Sequence, residues 1–142
     1  MTDERARRIA DLLRSRETMG GDWGILVEDA CEGYARIACT IRPHMLNGHG
    51  SAHGGALFTL ADTAFAYACN SHGENAVAYA ATINFLSPAK PGDHLIAEAQ
   101  ELMRAGRSGS YVVSIRTEDG RPIASFHGLS RCLGSAIEGL ED

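Results

Sequence analysis

Residues 54–71, GGALFTLADTAFAYACNS, have the length and the alanine and leucine content of an α-helix. Ala56, Leu57, Phe58, Leu60, Ala61, Ala64, Phe65, Ala66, Tyr67, Ala68 and Cys69 leave almost no polar face. A helix apolar nearly all round is buried. Its one formal charge is Asp62, two turns in from Gly54 and too deep to serve as an N-cap.

The segments on either side must supply what buries it. Downstream, residues 76–86, 94–104, 110–118 and 122–133 read as strands, with 106–109 and Asp119-Gly120 as hairpin turns. Tyr111, Val113 and Ile115 alternate with Ser110, Ser114 and Arg116, the period of a half-buried strand. Upstream, residues 23–30 and 34–41 form two more strands around Cys31-Glu32-Gly33, followed by a loop at 42–51. Residues 3–18 predict an amphipathic helix with a narrow stripe of Ala6, Ile9, Ala10, Leu12 and Leu13, ended by Gly20–Gly21. The tail, 134–142, is expected to be loose. Six strands of mostly hairpin connectivity and one buried helix predict an α+β domain spanning 1–142, a curved antiparallel sheet wrapped around the helix.

Bulk properties narrow the function. The 142 residues are 44% hydrophobic and 22% charged, as in an ordinary globular domain. A net charge of −5 lacks the basic footprint of a nucleic-acid binder. No run approaches the ~18 apolar residues of a membrane span, and the charged N-terminus is no signal peptide. Cys31, Cys39, Cys69 and Cys132 show no C-x-x-C spacing. They read as small buried hydrophobes in a reducing compartment, and a cytoplasmic location is expected.

Three features carry chemistry. Asp62, with Thr59 and Thr63, makes a polar stripe on a greasy cylinder. It reads equally as a desolvated reactive carboxylate or as a structural one bonded to an amide or an arginine. His53-Gly54-Gly55 reads as a plain loop-to-helix turn, or as a helix N-terminus whose free N–H groups hold an oxyanion. The loop 47–53, Asn-Gly-His-Gly-Ser-Ala-His, gathers an amide and two imidazoles beside that end. His49 and His53 are four apart, but Gly48 and Gly50 disfavour a helix and no H-E-x-x-H pattern exists, so no metal is expected. His44 and His72 read as ordinary polar positions at element ends. Gly54 and Asp62 are eight residues apart, about 12 Å along a helix that places them on one face. A single carbonyl carbon cannot reach both within one chain. Two antiparallel copies of the helix bring the amide end of one to the carboxylate of the other, which predicts a symmetric dimer with two shared sites.

Residues 45–71, from MLNGHGSAHGG to ADTAFAYACNS, resemble the PaaI-type thioesterases of phenylacetate degradation, members of the hotdog superfamily. The resemblance runs from about residue 20 to 133 and includes Thr82-Ile83-Asn84-Phe85-Leu86-Ser87-Pro88. It implies a hotdog fold and hydrolysis of acyl-CoA, with phenylacetyl-CoA and ring-hydroxylated relatives as substrates and no cofactor. It further implies that Asp62 is nucleophile or general base and that the Gly54 N–H polarises the carbonyl. His53 and Asn47 would position thioester or water. Gly55, Thr63, Asn84, Lys90, Arg107 and Ser108 are the substrate and CoA candidates, although Lys90 and Arg107 also read as solvated surface charge. The implied assembly is a homotetramer, a dimer of dimers. Two rivals remain: a hotdog enoyl-CoA hydratase, disfavoured because His53 precedes the helix and Asp62 lies within it, and a non-catalytic acyl-CoA-binding module.

Overall fold

A computed structural model describes residues 3–140. Helix α1 (Glu4–Arg16) starts where the Asp3 carboxylate accepts from the N–H groups of Arg5 and Ala6, and it buries Ala6, Ile9 and Ala10. Extended backbone at Glu17 (ψ 109°) breaks it, and a second short helix, α2 (Thr18–Trp23), follows. The expected stop at Gly20–Gly21 is therefore misplaced. Both glycines lie inside α2, and the stop is Gly24 at φ 69°. Gly20 is there for packing: a Cβ on it would stand 3.1 Å from a Glu17 carboxylate oxygen.

The chain continues as β1 (Leu26–Cys31), β2 (Tyr34–Thr40), a short 3-10 helix (Pro43–Met45), α3 (Gly54–Asn70), β3 (Glu74–Phe85), β4 (His94–Ala105), β5 (Ser108–Thr117) and β6 (Pro122–Ala136). All strand pairs are antiparallel, in the order β1-β2-β4-β5-β6-β3. Helix α3 packs against every strand, as the apolar segment predicted. Tyr111, Val113 and Ile115 of β5 point at it and are buried, as are Ala97 and Ala99 of β4. Phe65 lies between Tyr111 and Phe126, ring centroids 5.4 and 5.8 Å away. Helix and sheet approach closely at Gly128, where a Cβ would come within 2.9 Å of the Phe65 ring. Burying such a ring stabilises the fold by about 1.5–3 kcal/mol. The tail is not loose from Gly134: β6 runs to Ala136, Ile137 is buried, and only the end of that expected tail, 141–142, lies outside the described residues.

The far end of α3 is tied down. Asn70 exchanges two hydrogen bonds with the Ala76 backbone, 3.0 and 2.9 Å. His72, expected to be an ordinary polar residue, bridges Glu32 (2.9 Å) and Glu101 (2.8 Å), and Tyr111 donates to the same Glu101 oxygen. The near end of α3 and the outer edge of β3 are left open. Strand β3 bonds only β6, and Val77, Tyr79 and Phe85 on it are about half exposed.

Candidate active site

The amide end of α3 is shaped by the loop before it. Leu46 and Ala52 form an isolated bridge, and the Asn47 N–H donates to Ser51 O at 2.8 Å. The Asn47 side-chain oxygen accepts from the N–H groups of His49 (2.9 Å) and Ser51 (3.2 Å), which holds the turn closed. His53 then caps the helix: its Nδ1 accepts from Gly55 N–H at 2.8 Å. An accepting Nδ1 places the proton of the neutral ring on Nε2, which faces outward as a donor. Ala56 and Leu57 donate to His53 O. The Gly54 N–H alone of this first turn has no acceptor among the described residues. It opens on a cleft of about 500 Å³ lined also by Asn47, Leu57, Phe85 and Pro88.

Ring contacts explain the glycine pair. A Cβ on Gly54 would sit 3.1 Å from Phe85 Cζ, and one on Gly55 would sit 3.1 Å from His53 Nδ1. The absence of side chains thus makes room for two neighbouring rings, while the Gly54 N–H still reaches the cleft.

Two turns on, the expected polar stripe divides into unlike parts. Thr59 donates to Gly55 O (2.9 Å) and Thr63 to Thr59 O (2.7 Å), so both hydroxyls are engaged by the preceding turn. The Asp62 carboxylate has no hydrogen-bond or ion-pair partner among the described residues. Burial alone raises its pKa above the ordinary carboxylate value. The amide or arginine that a structural role would require is missing. Asp62 and Thr63 line a second cleft, about 510 Å³, whose opposite wall includes Glu17, Met19 and Ile25.

Gly54 and Asp62 open on different clefts, not on the one face expected. Eight residues at 100° each leave them about 80° apart around the axis. His53 and Gly55 line a third cleft of about 250 Å³, which shares Met19 and Thr59 with the Asp62 cleft. Asn84, Lys90 and Arg107 line none of these three, and Ser108 borders a small apolar depression beside Met103 and Leu129. Lys90 and Arg107 are exposed and have no ion-pair partner among the described residues. Among those residues no cluster of three or more His, Cys, Asp or Glu could hold a metal. No helix there is long and apolar enough to cross a membrane.

Sequence reasoning missed Glu17 and Met19, which the break between α1 and α2 brings opposite Asp62. The signal available was Tyr67, whose hydroxyl donates to Glu17 at 2.6 Å from a fully buried ring. A phenol on a buried helix face must find an acceptor.

Comparison with known proteins gives the family of this fold. The thioesterase superfamily model matches residues 49–124. The acyl-coenzyme A thioesterase PaaI of Escherichia coli K12 is 47% identical over 116 residues, 82% of this chain and 83% of that protein. The solved structure of E. coli PaaI, from the phenylacetic acid degradation operon, superposes with a TM-score of 0.93 at 41% identity. It covers 96% of this chain and 99% of its own. A mutant of the phenylacetic acid degradation protein PaaI from Thermus thermophilus superposes at 0.79 with 34% identity, over 82% of this chain and 100% of that one. With its sheet-wrapped helix and this degree of likeness, the chain belongs to the thioesterase superfamily, as a PaaI-type acyl-CoA thioesterase of the hotdog fold.

Proposed function

We propose that the chain hydrolyses phenylacetyl-CoA and its ring-hydroxylated relatives in two sites, each shared between the subunits of a dimer. One observation carries this. A desolvated, unpartnered carboxylate and an uncapped helix amide lie about 12 Å apart on one helix and open on different clefts. Only a second copy can bring the two to one carbonyl group. The partly exposed stripe Gly55, Thr59, Asp62 and Ala66 of α3 and the unpaired edge of β3 are surfaces open to that copy. The link of the two PaaI relatives to phenylacetic acid degradation supports the choice of acyl group.

In this reading the Gly54 N–H binds the thioester oxygen and stabilises the charge that develops there. The Asp62 carboxylate of the other subunit attacks the carbonyl carbon, or takes a proton from the water that does. The carbon–sulfur bond breaks and CoA departs as the thiolate; in the first route water then cleaves the acyl–Asp62 anhydride. The raised proton affinity of Asp62 strengthens it in either role. His53 Nε2–H and Asn47 orient the thioester or water. Gly55, Thr63 and Asn84 border the substrate, and the free cations Lys90 and Arg107, with Ser108, meet the CoA phosphates. The assembly is a dimer of dimers, with the exposed Leu102, Met103 and Leu133 as the second contact.

The test is subunit mixing. Asp62→Ala chains and Gly54→Pro chains, each nearly inactive in thiol release from phenylacetyl-CoA, are unfolded together and refolded. Half of the dimers are hybrids with one intact site, so about a quarter of wild-type turnover should return. No recovery, with light scattering showing dimers or tetramers, would refute a shared site. Hydration of crotonyl-CoA without thiol release would point to the hydratase instead.

A further inference from the structure

The cleft that holds Asp62 has two unlike walls. One is α3, with Phe58, Thr59 and Thr63 beside the carboxylate. The other is the elbow between α1 and α2, from Arg16 to Gly20. That elbow is held at several points. The Glu17 carboxylate accepts from the buried Tyr67 hydroxyl at 2.6 Å, and Gly20 packs against the same carboxylate. Arg14 Nε donates to Ile25 O at 2.9 Å and Arg42 to Asp22 O at 3.3 Å, which fixes α2 from both sides. Burial and the Glu17 charge raise the Tyr67 pKa, so the phenol keeps its proton and remains a donor.

The chemistry of the space argues against the phosphate-bearing part of CoA. Two carboxylates, Asp62 and Glu17, face it, and Arg16, the one cation lining it among the described residues, is engaged with Glu138 O. What it offers instead is apolar. Met19 is 51% exposed although a thioether gains nothing from water. It borders both this cleft and the one at His53 and Gly55, so it stands on the ridge between them. Phe58 faces it from α3, its ring set by an edge-on contact with Phe126 at 5.4 Å and 72°. A flat ring inserted here would meet an aromatic surface on one side and a polarisable, adaptable sulfur on the other.

We infer that the α1–α2 elbow is the acyl-selecting wall of the site, with Met19 as the residue that favours acyl groups bearing an aromatic ring and the Tyr67–Glu17 bond as the latch that positions it. The inference rests on Asp62 being the reacting carboxylate.

The test compares kcat/KM for phenylacetyl-CoA, hexanoyl-CoA and acetyl-CoA in wild type, Met19→Ala and Met19→Trp, with the inhibition constant of free CoA measured alongside. Met19 is half exposed, so both variants should fold. Loss of one apolar contact lowers the phenylacetyl-to-acetyl ratio by about 10-fold or more in Met19→Ala. Met19→Trp, which crowds the ridge, lowers it through KM, and free CoA binds alike in all three. For the latch, Tyr67→Phe and Glu17→Ala lower the same ratio, while Glu17→Gln, which still accepts the hydroxyl, restores it. Ratios within about twofold of wild type in both Met19 variants would overturn the inference. So would a parallel change in the inhibition constant of CoA, which would place the cofactor portion here. Absence of turnover by the wild-type chain on every thioester would remove the reading of Asp62 and this inference with it.

Discussion

Replacing Gly54 by proline deletes one hydrogen atom that matters and little else. Position 54 is the first of α3, where an N–H has no intrahelical partner and proline is tolerated. The residue before it, His53, already has the extended backbone that precedes proline, φ −61° and ψ 140°. No hydrogen bond is lost, because the Gly54 N–H has no acceptor among the described residues. The added Cβ presses on Phe85 Cζ, which would lie 3.1 Å away, but that ring is about half exposed and can give. Restricting the unfolded chain returns about 0.4–1 kcal/mol, so the melting temperature should hold or rise slightly. Turnover should not hold. Removal of one oxyanion donor lowers kcat by about 10²–10³, equivalent to about 2.7–4 kcal/mol of barrier. Gly54→Ala is the control, since it carries the same Cβ and keeps the N–H. Steady-state thiol release by the two variants, with melting curves for each, isolates the donor. If Gly54→Pro turns over phenylacetyl-CoA as fast as Gly54→Ala, the amide does not touch the reacting oxygen and the site is wrongly built.

Asp62→Asn should lose about 10²–10⁴ in kcat, the range for a missing catalytic base, and gain stability near neutral pH. The gain follows from the sign of the shift: the folded chain holds the Asp62 proton above its ordinary value of 3.8, so ionisation opposes folding as pH rises through that window. A drop in melting temperature would reveal a partner for the carboxylate. The same shift puts the acid limb of the kcat/KM profile above the ordinary carboxylate range, with activity lost as pH falls. Glu101 behaves oppositely. Burial pushes its carboxyl up, but hydrogen bonds from His72 and Tyr111 outweigh this and hold it below 4.5. Its contribution to stability is present above that value and lost on acidification below it. Urea midpoints followed from pH 6 downward should therefore fall less steeply in Glu101→Gln than in wild type. Phe65→Ala, which empties the space between Tyr111 and Phe126, should cost about 3–5 kcal/mol in chemical denaturation. Burial pushes the Cys69 thiol up to about 12, so native-state alkylation should spare it until the chain unfolds.

The sequence made the central element legible because two signals coincided there. Residues 54–71 are apolar nearly all round, and the helix found, Gly54–Asn70, differs by one residue at its end. The strands were legible for the same reason: alternation such as Tyr111, Val113 and Ile115 is written one residue at a time. The α1–α2 elbow was not. Gly20–Gly21 carries the local signature of a helix stop, and the fact that overrides it is tertiary, the contact of Gly20 with Glu17 and of Glu17 with Tyr67, fifty residues on. The tail failed likewise, since residues 134–136 look polar and loose until Ala136 pairs with Glu74. At the site, residue types were readable but their directions were not. Gly54 and Asp62 stood out by chemistry, whereas the angle between them emerges only when the helix is placed against its neighbours. His72 gave no local sign that its ring would join Glu32 to Glu101, because those partners lie 40 and 29 residues away.

Strand β6 lies between β5 and β3, yet it comes last in sequence among the described strands. During synthesis β3 therefore waits, with nothing to bond, until some fifty further residues have followed it. A nascent chain in that interval shows a long apolar strand with both edges bare, the kind of surface that chaperones and other nascent chains find first. Closure of the barrel-like wrap cannot proceed from the N-terminus onward; it is completed in a single late insertion. Loss of β6 would thus remove not a trailing end but the inner strand that joins β3 to the rest of the sheet.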